Sequence, residues 1–383
     1  MPATDPFNVV FLGAGNIMFG SDEGPWNHSA RFEKKLGDRF RMLAVVDPNL
    51  PRVHQTIATK RADPAVRHAY LNTEVYGTLD DLIAAYKGKE DTIRVFVIGL
   101  PPAFRGGVTT GTDFELRVSK AFPNAHLFIE KPVSTSSLED AFKVGEILSK
   151  NIPRIVSVGY MMRYLRAVSH VKKIIDEQKL IVMATNARYA CAYPSCMKPD
   201  WWDKSLSCGP IVEQATHFCD LSRFFGGLVD LESVQARALE WNEPAGKLTK
   251  IHPGVKEETI PPENRIPRAT TAIWKYKTGA VGHLTHIVAL QGTSYSCELE
   301  IFADGYMFII EDPYNTPRLR IRSPLSDEEE VIVFKDDDPF LEEVSVFIDA
   351  IENKDNYIVR SPFIDACETY ALTRAIRIAS ERK

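Results

Sequence analysis

The sequence predicts two units: an α/β unit built on a doubly wound parallel sheet, and a second α+β unit built on a large, mainly antiparallel open sheet. Three observations predict this. Short apolar runs alternate with helical stretches through residues 1–155. From Leu231 to Val333 the chain reads instead as strand after strand, with turn signals such as Lys277-Thr278-Gly279 and Ala303-Asp304-Gly305 between them. At 383 residues the chain is also too long for one typical domain. The expected division is 1–155 and 156–383, with a C-terminal helix over about 362–382 packing back on the first unit.

The first strand is Asn8-Val9-Val10-Phe11-Leu12, a continuous apolar run of the kind buried in a parallel sheet. It enters Gly13-Ala14-Gly15-Asn16-Ile17-Met18, the start of a dinucleotide-binding turn. Gly13 suits the tight turn, and Gly15 lets a pyrophosphate approach the backbone. Met18 stands where a third glycine is usual. A lone G-x-G also occurs in plain strand-to-loop turns, but this one follows the first strand of the chain. The polar stretch from Phe19 to Trp26 is read as an insertion, with a helix starting near Asn27 or Ser29.

Met42-Leu43-Ala44-Val45-Val46-Asp47 is the second strand. Its terminal acid sits where a Rossmann domain places the carboxylate that binds the adenosine ribose. Asp47 would accept from a ribose diol and repel a 2′-phosphate, which favours NAD over NADP; Arg52 nearby weakens that preference. The other reading of Asp47 is the start of the turn Asp47-Pro48-Asn49. A short strand at Val75-Tyr76, a helix capped by Thr78 or Asp80, and a buried strand Ile93 to Gly99 follow. Leu100-Pro101-Pro102 breaks that strand, and a helix is expected from Asp113 to Ala121.

Next comes His126-Leu127-Phe128-Ile129-Glu130-Lys131-Pro132, an apolar strand ending on a charged pair locked against proline. Ligands of open parallel sheets bind beyond the carboxyl ends of the strands, so Lys131 should point into a crevice. Alone, it would read as a solvated lysine at a strand end.

The G-x-G turn, the acidic second strand, the Pro-Pro turn and the strand ending Glu-Lys-Pro, in that order, resemble the Gfo/Idh/MocA family, the relatives of glucose–fructose oxidoreductase and inositol dehydrogenase. Ser157 to Tyr164 is similar to the family's strand-to-helix segment, Cys208 to Leu221 to its histidine-bearing helix, and Ala272 to Leu284 to its C-terminal sheet. The resemblance covers essentially the whole chain. Met18, longer loops near 19–26 and 105–114, Phe104-Arg105-Gly106 where a histidine is common, and Glu213 where the family usually has Asp are departures.

The resemblance implies a nicotinamide-dependent oxidoreductase acting on a secondary alcohol or carbonyl of a sugar or cyclic polyol. Glu213, His217 and Asp220 are spaced i, i+4 and i+7, which puts them on one face of a helix from about Ile211 to Phe225. Oxidising an alcohol requires a group that takes its proton and a donor that steadies the developing alkoxide. Lys131, His217 and Glu213 are the catalytic candidates, with Glu213 either orienting His217 or binding a neighbouring substrate hydroxyl. Gly13, Gly15, Asn16, Ile17, Met18, Asp47, Leu100, Pro101, Glu130 and Lys131 are the cofactor-binding candidates. Tyr160, Arg163, Trp201 and Asp220 are the substrate candidates; Trp201 and Trp202 are read either as a packing plug or as a pocket wall. NAD is the expected cofactor, with NADP as the alternative. Two other readings share the fold: a non-catalytic, sugar-sensing regulator, and a glycoside hydrolase that uses tightly held NAD.

Composition restricts partners. Net charge is −5, with 44% hydrophobic and 25% charged residues, so nothing draws the chain to nucleic acid or an anionic membrane. Cys191, Cys196, Cys208, Cys219, Cys297 and Cys367 show no zinc-like spacing, and no metal is expected. No apolar run approaches a membrane span, and the first residues lack a signal-peptide pattern, so a cytoplasmic protein is expected. The second unit's open sheet face is expected to form a homodimer or homotetramer. Asp327 to Glu330 is expected to be a solvated turn.

Overall fold

The computed structural model describes residues 5–21, 24–150, 154–352 and 358–382. The chain divides into two compact units: Met1–Met161 with Phe340–Cys367, and Met162–Pro339 with Glu368–Lys383. The helix Phe363–Glu381 was expected on the first unit, but from Glu368 onward it belongs to the second. Asn353, expected to end the preceding helix, and residues 22–23 of the expected insertion lie outside the described residues.

The first unit holds a six-stranded sheet in the order β3-β2-β1-β4-β5-β6: β1 (Phe7–Leu12), β2 (Phe40–Val46), β3 (Glu74–Tyr76), β4 (Val95–Ile98), β5 (His126–Ile129) and β6 (Val156–Val158). Every pairing is parallel. The central strands are buried on both faces, which is why their sequences are unbroken apolar runs rather than alternating ones. The core joins Phe11, Phe32, Phe40 and Phe128 to Val344, Phe347 and Ile348 of the helix Pro339–Ile351. One helix starts near its expected place, with Asn27 accepting from the Ala30 N–H, and of the two expected caps Thr78 and Asp80 it is Thr78 that accepts from the Asp81 N–H. Helices Leu50–Ala62 and Leu138–Ser149 complete the alternation.

The second unit holds an eight-stranded sheet made by β7 (Val182–Ala192), β8 (Val229–Leu239), β9 (Ala269–Tyr276), β10 (Val281–Leu290), β11 (Ser296–Ala303), β12 (Tyr306–Glu311), β13 (Arg318–Ser323) and β14 (Ser326–Val333). Only the β10–β7 pairing is parallel; the others are antiparallel. Strands β9, β10 and β11 alternate between buried and more exposed residues, as a sheet with one covered face must.

The acidic run did not become a turn. Asp327 to Glu330 lies in β14 at the sheet edge, where Arg320 on β13 binds Glu329 at 2.6 Å and Arg322 binds Asp327. Cross-strand arginines support the acids, and a charged edge resists pairing with another chain.

Candidate functional site

The first unit aligns its strand ends. Leu12 of β1 lies in register with Val46 of β2 and with Ile98 of β4, and Ile98 is in register with Ile129 of β5. The next residues, Gly13, Asp47, Gly99 and Glu130, therefore emerge together at the carboxyl edge of the sheet. Hydrogen bonds continue one residue past the strands: Gly13 N–H to Val46 O at 2.7 Å, Gly99 N–H to Leu12 O at 2.9 Å, and Glu130 N–H to Ile98 O at 2.9 Å.

Met18 replaces the third glycine without opening the turn. Its side chain is fully buried over Gly99, where a β-carbon would lie 2.3 Å from Met18 Sδ. The absence of a side chain at Gly99 thus provides the room that glycine usually provides on the helix. Asn16, Ile17 and Met18 form a short helix, Asn16–Phe19, with Gly15 at its start. Space around the Cβ position of Gly15 is open to 4 Å, so a phosphate can reach that backbone. Leu100 is half-buried and Pro101 exposed beside this turn.

Asp47 is buried and well held. Its Oδ2 accepts from the Ala14 N–H at 2.8 Å and from Arg52 Nη2 at 2.9 Å, and its Oδ1 accepts from the Asn49 N–H at 2.8 Å. Asp47 is thus both the start of a turn, through Asn49, and a carboxylate fixed beside the glycine turn.

Glu130 and Lys131 follow β5, and the Lys131–Pro132 peptide is cis. Glu130 Oε1 lies 2.6 Å from Nε2 of His28, which is fully buried, and Glu130 Oε2 accepts from the Lys131 N–H at 3.2 Å. A β-carbon on Gly159 would lie 2.9 Å from Glu130 Oε1, so only glycine lets the carboxylate sit there. Burial alone would raise the pKa of Glu130; His28, Lys131 and Arg105 outweigh it and hold the carboxyl below its usual range. The His28 ring packs edge-on to Phe128. His28 was missed in the sequence because the insertion separates it from the glycine turn.

The longer loop after the Pro-Pro turn carries the buried Arg105, and the helix that follows it, Phe114–Ala121, carries the buried Glu115. Arg105 Nε donates to Leu100 O at 2.9 Å, and Glu115 Oε2 accepts from the Gly106 N–H at 2.9 Å. Burial pushes the Arg105 pKa down and that of Glu115 up. Tyr160 is fully buried in this unit.

In the second unit the expected single helix is two. Pro210–Glu213 is followed, after Gln214 and Ala215, by Thr216–Gly226. The Pro210 carbonyl accepts from both the Gln214 and the Ala215 N–H, at 2.9 Å each, so the chain takes an extra residue before the second helix starts. Glu213 and His217 therefore do not share one continuous helical face; His217 and Asp220 do.

Asp220 and Arg163 bind each other. Arg163 Nε meets Asp220 Oδ2 at 2.7 Å and Arg163 Nη2 meets Asp220 Oδ1 at 2.6 Å, with both side chains at most 3% exposed. Thr369 also donates to Asp220 at 2.9 Å. Both had been expected at the substrate; here they anchor the helix that carries His217. Tyr276 adds a second anchor, its hydroxyl donating to Ser222 O at 3.1 Å.

His217 is mostly buried, with the Tyr314 ring 6.4 Å away. Tyr189 packs against Tyr295, Tyr314 and Phe218 and stacks on His286 at 5.2 Å. Nε2 of His286 lies 2.9 Å from Gln214 Oε1, and burial lowers its pKa to about 3. This aromatic wall was not recognised in the sequence, although the alternation along β7 and β10 points Tyr189 and His286 inward. Trp202 is the packing plug, fully buried with Nε1 donating to Cys196 O at 2.8 Å. Trp201 is also largely buried, and its Nε1 has no hydrogen-bond partner. No group of three or more His, Cys, Asp or Glu suited to a metal occurs among the described residues.

A parallel sheet with a glycine turn and a fixed strand-end acid is the arrangement of a dinucleotide-binding domain. The chain belongs to the Gfo/Idh/MocA family: residues 7–160 match the oxidoreductase family's NAD-binding Rossmann fold, and residues 163–306 match an oxidoreductase C-terminal domain. An uncharacterised protein of Schizosaccharomyces pombe is 44% identical over 98% of this chain and 92% of its own length. The inositol 2-dehydrogenase/D-chiro-inositol 3-dehydrogenase of Halalkalibacterium halodurans is 26% identical over 150 residues, 39% of this chain and 36% of that one. A levoglucosan dehydrogenase solved with NADH and L-sorbose superposes with a TM-score of 0.70 at 15% identity, covering 98% of this chain and 96% of its own. At that identity the likeness is one of fold. Among the described residues no helix is long and apolar enough to cross a membrane.

Proposed function

We propose that this protein oxidises or reduces a CH–OH centre of a sugar or cyclic polyol, with Lys131 and His217 as its catalytic pair. The observation that carries the reading is the Glu130–Lys131 pair, fixed by buried His28 at the same sheet edge as the glycine turn and Asp47. The bound nicotinamide would supply the hydride acceptor or donor. Gly13, Gly15, Asn16, Ile17, Met18, Leu100 and Pro101 would hold it, with Asp47 on the adenosine ribose. NAD is favoured because Asp47 is an acceptor; the Arg52 contact offsets part of its charge, which keeps NADP as the alternative.

In this reading the Lys131 ammonium polarises the substrate oxygen, and Glu130 fixes its backbone through the Lys131 N–H. His217 moves the hydroxyl proton, since an imidazole titrates near working pH. Glu213, half-buried before the helix break, binds a neighbouring substrate hydroxyl. Trp201 and Tyr160 remain wall candidates, and Arg163 and Asp220 act by positioning His217. The reading includes a cytoplasmic location and a homodimer or homotetramer through the open face of the eight-stranded sheet, where Ile273 and Val281 are half exposed.

The test is titration of the purified protein with NADH and NADPH separately, followed by a sugar and polyol panel read by nicotinamide absorbance. Saturable binding with substrate-dependent absorbance change supports the dehydrogenase. Retained, non-exchanging cofactor with no bulk absorbance change supports the hydrolase or regulator instead. No binding of either cofactor overturns the reading.

A further inference from the structure

Two thiols outside this chemistry lie against each other in the second unit. Sγ of Cys191 and Sγ of Cys196 are 3.3 Å apart. Cys191 is the penultimate residue of β7, flanked by β10 and β11, and Cys196 follows the 3-10 turn Tyr193–Ser195. That turn doubles the chain back, with the Cys196 N–H donating to Tyr193 O at 3.1 Å. Both cysteines are held in place: Cys191 by the sheet, and Cys196 by the Trp202 indole on its carbonyl. A disulfide needs about 2.05 Å between sulfurs, so the turn has little further to close. With only two thiols and no third ligand among the described residues, the pair is not a metal site.

We propose that Cys191 and Cys196 are a reversible disulfide site, oxidised by hydroperoxides. The Cys196 thiolate attacks a peroxide oxygen; the O–O bond breaks, leaving a sulfenic acid and, from hydrogen peroxide, one water. The Cys191 thiol then attacks that sulfur; the S–S bond forms, the S–O bond breaks and a second water leaves. Two thiols lose two electrons and two protons, and the peroxide is reduced by the same two electrons. Cys196 reacts first because it is at the less enclosed end, 9% exposed against 0% for Cys191. The contact between the thiols itself favours the Cys196 thiolate and disfavours that of Cys191. The site adjoins the segment that carries His217: Gln214 approaches Cys191 Sγ at 3.9 Å and also binds His286.

The test uses the wild-type full-length protein, treated undenatured with near-stoichiometric hydrogen peroxide, alkylated, digested with trypsin and weighed by mass spectrometry. Both cysteines fall in one peptide, after Arg188, so the bridge appears as that peptide unalkylated and two hydrogens lighter. The expected result is selective loss of those two thiols among the six, restored by a phosphine reductant. In Cys196→Ser the same exposure leaves Cys191 alkylatable. Wild-type protein in which both thiols remain alkylatable, or in which Cys196 is a sulfinic acid beside a free Cys191, overturns the proposal.

Discussion

Nε2 of His28 and Oε1 of Glu130 meet at 2.6 Å although 102 residues separate them in the chain. The other oxygen of that carboxylate accepts from the backbone of Lys131. Replacing His28 by Ala leaves a buried carboxylate short of a partner, which costs roughly 1–3 kcal/mol. We expect that loss in urea unfolding, together with a fall in turnover that His28→Gln restores in part. Unchanged turnover in His28→Ala, with Lys131→Ala inactive, would show that the pair is structural only.

Met18 and Gly99 form a complementary pair. Gly99→Ala forces the buried thioether aside and should destabilise by about 1–3 kcal/mol, the usual range for overpacking. It should also weaken dinucleotide binding. Adding Met18→Ala to Gly99→Ala removes the clash and should recover part of both losses, measured by urea midpoint and NADH titration.

Asp47→Asn removes the charge that disfavours a 2′-phosphate while leaving Arg52 in place. The ratio of NADH to NADPH affinity should fall at least about tenfold, or about 1.4 kcal/mol. Equal losses for both cofactors would show that Asp47 acts only by bracing the glycine turn.

Breaking the Arg163–Asp220 pair removes the two-point charged partner of a buried side chain. Asp220→Ala should cost about 3–5 kcal/mol of stability. Arg163→Lys should cost less, but it loses the two-point geometry and should lower kcat more than KM.

Acid should destabilise the protein through half-buried His126 and buried His286. Burial, then Arg94 and Arg154, lowers the His126 pKa to about 4, and burial lowers that of His286 to about 3. The folded state keeps both neutral while the unfolded chain binds protons below about pH 6.5. Stability is therefore full above pH 6.5 and falls as the pH drops toward 4. The urea midpoint should decline over that window, and His126→Asn should flatten the decline. An equal slope in the variant would contradict this assignment.

The two sheets, the glycine turn and the strand ends at Asp47 and at Glu130-Lys131 were legible because buried parallel strands are continuous apolar runs whose ends are abrupt. Contacts between distant segments were not. Nothing local in the sequence joins His28 to Glu130, or Gly99 to Met18. Asp327 to Glu330 hid a strand because edge strands carry charge where central ones carry valine and isoleucine. The i, i+4 spacing of Glu213 and His217 assumed an unbroken helix, and a doubly accepting Pro210 carbonyl breaks it. Helix Leu50–Ala62 escaped because it buries only Val53 and Ile57.

The most direct test is steady-state turnover of Lys131→Ala and His217→Ala on the best substrate from the sugar and polyol panel, beside NADH affinity by tryptophan fluorescence. The account predicts that each variant loses at least about a hundredfold in kcat, as removal of a general acid–base group does, while binding NADH within about threefold of wild type. A loss below about tenfold in both variants would contradict it.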